Sequence, residues 1–514
     1  TMILFTTCLS LFMLKITSAF VPAAPLYIRQ NTKVKSQPTT TPLPSILTSI
    51  LTSNNLTPPT SESSFPTTTR KTKAGDAILS VPLSSCIPAS DAQMSGPLLT
   101  GSNGLLAVSI LDELFEALIL SQATTSEATT VQRACVLDLL SAYVNEGTSF
   151  PVLWGERQQS ILQQASTSKI YSLLDDIEED FESLNRVLWG EDRDRYPPVV
   201  ETEAHGTVNL YDEKGWKWAV CMAMNSGVFI EGKMYLPPVF DCFQRPSRYL
   251  PSSPSSSTTI IPTLPSEAIP VRKLTGKHVE IRALSDVPSG SPIVYNHGPK
   301  SAADYLLDHG TIPSRCYETR VAEIEFEIDP NDRFYDDKVD ILQALDPPLT
   351  PRQKFDVVSG GGSSSADGRP DDAMLQFLRL VQLSKDDAFL LEPVFRNDVW
   401  GFMAEPVSER NENDSFSAIL DFCSSSMEDK QSVEKLIDPS DACEKLCGEV
   451  LKIEKDALKK LEGYVKRDRE AMDLKSYYAD RRLKELNLDQ PYDFEENENL
   501  NEFGRLPGGG EIDF

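Results

Sequence analysis

From Pro292 the chain reads PIVYNHGPKSAADYLLDHGTIP, followed closely by DPNDRFYDDKVDIL up to Leu342. This stretch constrains the fold more than any other, because it sits where the chain changes character. Before it, short strands alternate with turns: His278–Leu284 and Pro292–Tyr295 read as a strand pair around Pro288-Ser289-Gly290. After Ile328 strand signals cease. From Asp371 the pattern is helical, and Leu446, Val450, Ile453, Ala457, Leu461 and Tyr464 recur at steps of three and four. Pro439-Ser440-Asp441 supplies a start signal for that long helix.

The upstream part supplies further elements. Lys73 to Pro88 (KAGDAILSVPLSSCIP) reads as a strand after a Gly turn. A helix over Leu105 to Ser121 aligns Leu106, Ile110, Leu111, Leu114 and Leu118 on one face. Helices are also predicted over Glu156–Gln164, over 170–190 with an acidic outer face, and over Trp216–Phe229. Met234–Phe243 reads as a strand ending in a loop. Pro246–Pro265 is a Ser/Thr/Pro-rich insertion without periodicity, and Ser359–Gly368 is a second Gly/Ser-rich loop. The polar, Gly-rich tail from Asn497 is expected to fray.

At 514 residues the chain has room for at least two cores. Its net charge of −27 argues against nucleic acid as partner, since phosphate binding needs a basic surface. Nine scattered cysteines with no CxxC pair read as free thiols in a reducing compartment. Cys443 and Cys447, four apart on a helix, read as core filling rather than metal ligands. His205, His278 and His297 read as surface or capping residues. No metal-spaced cluster, Walker-type loop or Gly-x-Ser-x-Gly is present, so no metal is expected.

The first residues read as an address. Met2–Leu14 is an apolar run too short for a membrane span, and Ser18-Ala19 is a small-residue cleavage site followed by Phe20. From Phe20 to about Thr60 the chain is rich in Ser, Thr and Pro and has no acid until Glu62. This resembles the two-part leader of algae with complex plastids, which implies a plastid stroma destination. Ordinary secretion leaves the acid-free stretch and the unpaired cysteines unexplained. Residues 1–19 are expected as signal peptide, and 20–65 as transit peptide or disordered chain. No membrane is expected for the mature form.

Three segments carry a family resemblance: the run from Pro292, Leu378–Ser408 (LRLVQLSKDDAFLLEPVFRNDVWGFMAEPVS), and Leu474–Leu488 (LKSYYADRRLKELNL). They resemble the SET-domain proteins of the Rubisco large-subunit methyltransferase family, over roughly 70 to 510. The resemblance implies an α+β fold: a SET-type, β-rich domain over 66–345 with a helical insertion at about 105–225, then an all-α substrate-binding domain over 371–490 and a flexible tail over 491–514. It implies S-adenosylmethionine as cofactor. Its implied function is transfer of methyl to a lysine of a stromal protein, such as the Rubisco large subunit or aldolase.

Several family positions carry other residues here. His309-Gly310-Thr311 stands in the place of Tyr-Gly-Phe, so His309 holds the catalytic position. Ser301-Ala302 replaces Ser-Asn. After Pro238-Val239-Phe240-Asp241, Gln244-Arg245-Pro246 replaces Asn-His-Ser. Ser226-Gly227 replaces Ser-Arg, and no Gly-x-Gly precedes Lys73. The implied cofactor positions are therefore Asp241, Gln244, Arg245, Ser301 and Ala302. Arg245 would place a cation near a sulfonium. Two readings stand at this point: a methyltransferase with altered motifs, or a catalytically inactive SET scaffold that binds a stromal protein through its helical domain.

Overall fold

In the computed structural model the described residues are 45–58, 66–91, 97–122, 130–146, 150–166, 169–202, 206–243, 260–261, 267–271, 278–295, 300–313, 316, 319–360, 368–392, 395 and 398–472. Gln244, Arg245, His205, His297, the segment from Leu474 to Leu488 and residues 1–44 lie outside them.

Among the described residues the strands form six small sheets, of which three frame the site. β1 (Ala77–Pro82) and β2 (Ile87–Pro88) come first. β3 (Val228–Ile230) and β4 (Lys233–Leu236) form a hairpin whose two turn residues, Glu231 and Gly232, both have positive φ. That is the geometry a two-residue hairpin loop requires. β5 (Glu267–Val271), β6 (His278–Ala283) and β7 (Val294–Tyr295) complete the largest sheet, in the order β7-β5-β6-β1, with only β5 and β7 parallel. β2 pairs with β4 in a second sheet. β8 (Thr319–Glu327) and β9 (Arg352–Gly360) form a long antiparallel ribbon.

Two sequence expectations are corrected here. The stretches 278–284 and 292–295 do not pair with each other, because β5 lies between them. Strand structure also does not end at Ile328, because β9 returns alongside β8. The ribbon shows little of itself in sequence, since of β9 only Val357 and Ser359 are buried.

The α-helices of eight residues or more among the described residues are α1 (Ser45–Ser53), α2 (Gly101–Gln122), α3 (Val131–Glu146), α4 (Glu156–Ala165), α5 (Ile170–Leu184), α6 (Glu213–Ser226), α7 (Ala302–His309), α8 (Tyr335–Gln343), α9 (Asp372–Val381), α10 (Glu409–Glu434) and α11 (Ala442–Ala471). None is long and apolar enough to cross a membrane. The predicted stripe of α2 is fully buried in a core shared with α3, α5 and α6. In α11, Val450, Ile453, Ala457 and Leu461 are buried as the periodicity predicts, and Asp441 caps its start by accepting from the amides of Cys443 and Glu444.

α1 departs from the expectation that 20–65 is leader or disordered chain. Leu47, Leu51 and Leu56 are buried against Ile78, Val81, Val279 and Ile281 of the main sheet. Its Ser and Thr residues mask a helical spacing, Ile46-Leu47 and Ile50-Leu51.

The C-terminal helices also do not stand apart. Cys447, Val450, Leu451 and Ile453 of α11 share one core with Ile161 and Leu162 of α4 and with Ala302, Ala303, Tyr305 and Leu306 of α7. At the same seam the Lys430 ammonium, buried on α10, donates to Glu454 at 2.7 Å and to the Ala165 carbonyl at 2.8 Å. Arg157 grips the buried Glu444 at 2.7 Å across it. The separately folding domain expected from Asp371 onward is thus fused to α4 and α7.

Candidate functional site

α7 is made by its ends. Ser301 is the N-cap: its hydroxyl accepts from the Asp304 amide at 3.0 Å and donates to the Asp304 carboxylate at 2.8 Å. Gly310, with φ 65°, closes the other end, and its amide donates to the Leu306 carbonyl. A left-handed residue at this position favours glycine. The helix therefore stops with His309 on its last turn, facing α6. One flank of α7 buries Ala302, Ala303, Tyr305 and Leu306 against α11, and Leu307 joins the core of the helical insertion.

His309 is 3% exposed, and its Nδ1 lies 3.2 Å from the Asn225 side-chain oxygen. The Asn225 amide donates to the Asp241 carboxylate at 2.7 Å and to the Ser226 hydroxyl at 2.9 Å. Asn225, Ser226 and Asp241 are buried as well. Asp241 arrives on a 3-10 turn, Phe240–Phe243, entered through Val239 at φ 61°. A β-branched residue there is strained and is held by what surrounds it. Asn225 joins the end of α6 to both other elements. The sequence reading missed it, although an Asn-Ser pair closing an otherwise apolar helix was the available signal.

The structure therefore brings together two of the expected site residues, His309 and Asp241. Ser301 and Ala302 stand at the opposite end of α7, Ser301 engaged with Asp304 and Ala302 packed in the seam core. Near His309 an ion pair joins Asp308 to Lys300 at 2.8 Å. Burial nevertheless holds the Asp308 carboxyl above its ordinary value, with Lys300 opposing.

S-adenosylmethionine carries an ammonium, ribose hydroxyls and an adenine amine, all of which need acceptors turned toward open space. Here the Asp241 carboxylate is turned to Asn225, the Ser301 hydroxyl is taken by Asp304, and Ala302 offers a methyl group. The Ser301 hydroxyl and the Ala302 methyl thus offer the cofactor no free acceptor, and one oxygen of Asp241 is already engaged. Two cavities lie elsewhere. One of about 930 Å³ lies between the starts of α4 and α6. The other, of about 610 Å³, lies among α9, α10 and α11.

A strand-rich part carries a short capped helix, and a helical part is fused to it; each part has a counterpart among known proteins. Residues 329–476 match the Rubisco LSMT substrate-binding family model. A chloroplastic [fructose-bisphosphate aldolase]-lysine N-methyltransferase of Arabidopsis thaliana is 35% identical over 197 residues, 37% of this chain and 38% of that protein. A chloroplastic ribulose-1,5 bisphosphate carboxylase/oxygenase large subunit N-methyltransferase of Nicotiana tabacum is 34% identical over 196 residues, again 37% and 38%. The alignment thus spans well under half of these relatives.

Among solved structures, the SET domain of LSMT bound to lysine and AdoHcy aligns with TM-score 0.56 at 20% identity, covering 85% of this chain and 92% of that one. Rubisco LSMT bound to AdoMet aligns with TM-score 0.56 at 19% identity, covering 90% and 100%. The likeness to these structures shows a SET-type fold, and residues 329–476 match the Rubisco LSMT substrate-binding family.

Proposed function

We propose that this is a protein-docking member of the SET lysine-methyltransferase class whose central site has left methyl transfer behind. Its C-terminal helices engage a plastid protein, with the Rubisco large subunit and fructose-bisphosphate aldolase as the first candidates from its relatives, and the SET part serves as a rigid platform. The observation that carries this reading is the buried chain His309–Asn225–Asp241, which engages Nδ1 of His309 and one oxygen of Asp241 within the protein. A methyl transfer site must instead aim its acceptors at the space where cofactor and amine meet.

One observation favours the rival reading, a lysine methyltransferase using S-adenosylmethionine. α11 of the docking domain packs directly on α7, as a domain that delivers substrate to the site helix requires. Calorimetry of the chain from residue 45 with millimolar S-adenosylmethionine separates the two. We expect no heat and no thermal shift, together with measurable binding to purified Rubisco or aldolase. Micromolar cofactor binding with radiolabelled methyl appearing on either protein establishes the enzyme instead. The plastid leader belongs to the same proposal, with its final cleavage before Ser45, since α1 is part of the core. A native N terminus beyond Leu56, read by mass spectrometry, contradicts that placement.

A further inference from the structure

The 610 Å³ cavity among α9, α10 and α11 lies wholly within the matched docking domain and shares no residue with the His309 site. Its size is that of a pocket for one side chain and its flanks. Each helix gives it one face: Asp372 and Leu375 from α9, Phe416 from α10, and Tyr464 and Asp468 from α11. On α11 these last two are four apart and so stand together. Arg467 and Arg469 project about 100° to either side of Asp468, and Arg469 is bonded to Asn413.

The walls are held in place by three devices. Buried Arg379 forks onto Glu412 at 2.7 and 2.8 Å, and its remaining arm holds the carbonyls of Met403 and Ala404. That fixes the segment carrying Glu405, one rim of the cavity. Gly368, at φ 79°, brings the start of α9 against the α11 backbone, where an added Cβ would lie 2.5 Å from the Lys460 carbonyl carbon. Asp371 caps α9 by accepting from the Ala373 amide.

The lining thus has an apolar and aromatic floor of Leu375, Phe416 and Tyr464. Its exposed rim carries the acids Asp372, Glu405 and Asp468 against one exposed cation, Arg369, which is paired with Asp372 at 2.8 Å. Arg379 and Glu412 cancel each other in the floor. An aliphatic stem ending in a cation fits this combination: methylenes on the floor, charge at the rim.

We infer that this cavity is the point at which the docking domain takes a lysine or arginine side chain from the surface of its protein partner. The inference deepens the docking reading and rests on it. It makes the partner's recognition depend on a basic residue lodged away from the SET site.

The test uses the chain from residue 45 and an acetylated, amidated peptide with one lysine among alanines, followed by NMR titration. Its twin carries acetyl-lysine. We expect the lysine peptide to bind and the twin not to. Asp468→Asn combined with Asp372→Asn should weaken the lysine peptide about threefold to tenfold, the range for exposed and partly desolvated charge pairs. Glu178→Gln with Glu179→Gln, exposed acids on α5, should leave it unchanged. Equal binding of the twin overturns the inference, and so does equal weakening by the α5 pair. Concentration-dependent self-association lost in the Asp468 variant also overturns it, since a second copy would then be the occupant. The same variants assayed against Rubisco or aldolase keep the two proposals separate. Binding that ignores the rim acids defeats the cavity alone, whereas absence of any binding beside an intact lysine-peptide response defeats the choice of partner alone.

Discussion

Replacing Lys430 by Met tests the seam between the docking helices and the SET part. Lys430 and Glu454 have side chains 7% and 3% exposed, and the ammonium also holds the Ala165 carbonyl at the C-terminal end of α4. Removing it leaves a buried carboxylate alone and a helix-end carbonyl without that donor. Breaking one partner of such a pair costs about 3–5 kcal/mol, read as a fall in thermal midpoint on the order of 5–10 °C. The pH dependence is the sharper signature. Burial already holds the Glu454 carboxyl above its ordinary value, Asp304 and Glu323 push the same way, and Lys430 opposes. A carboxyl with a raised folded pKa keeps its proton better in the folded state, so its ionisation removes stability as pH rises past the unfolded value, about 4.3. Without Lys430 that penalty grows. The gap between variant and parent should therefore widen from pH 5 to pH 8, measured by urea unfolding followed through tryptophan fluorescence. Adding Glu454→Leu should recover most of the loss, leaving about 1–2 kcal/mol for the orphaned carbonyl. A single substitution costing under about 1 kcal/mol, or a gap that narrows as pH rises, refutes the reasoning.

Two further outcomes follow from the same structure. Burial pushes the thiols of Cys86, Cys423 and Cys447 up to about 12, so these three should resist iodoacetamide at pH 8 until urea is added; peptide mapping that finds them labelled in the folded protein contradicts the packing. Asn225→Ala should lower stability by about 2–4 kcal/mol, because Asp241 and His309 both lose a buried partner, while docking at 25 °C stays intact; an unchanged unfolding midpoint would mean that the chain does not hold α6, α7 and the 3-10 turn together.

The helical docking part was the most legible from sequence, because its information is local. The stripe from Val450 to Leu461 and the Asp441 cap lie within a few turns of one another, and both appear in the structure. β1 and α2 were legible for the same reason. β5 and β9 were not, for different reasons. β5 sits just past a low-complexity run, and β9 keeps its polar residues at the surface, held by cross-strand pairs such as Lys354 with Glu323 at 2.6 Å. α3 was missed because Ala134, Cys135, Val136, Leu139 and Leu140 bury more than one face and leave no clean stripe. α1 was hidden by composition. At the site, sequence singled out His309 and Asp241 but not what joins them, since Asn225 lies 84 residues from one and 16 from the other.

The direction in which polar groups face decides between chemistry and support. A buried polar side chain must find a partner or lose roughly 1–3 kcal/mol, so a site that works on a ligand keeps some of its groups turned toward the space the ligand will fill. At α7 the groups that make hydrogen bonds make them to one another. Asp241 meets the Asn225 amide, Asn225 meets His309, and Ser301 meets Asp304, each within ordinary hydrogen-bond distance. These contacts stitch α6, α7 and the 3-10 turn together and hold the surface against which α11 packs. In the docking domain the buried charges, Arg379 and Glu412, are likewise matched inward, but Asp372, Glu405 and Asp468 stand exposed around an apolar floor. On the proposed reading, the polarity that this chain offers to a partner lies in its helices, and the polar chain at His309 holds α6, α7 and the 3-10 turn together.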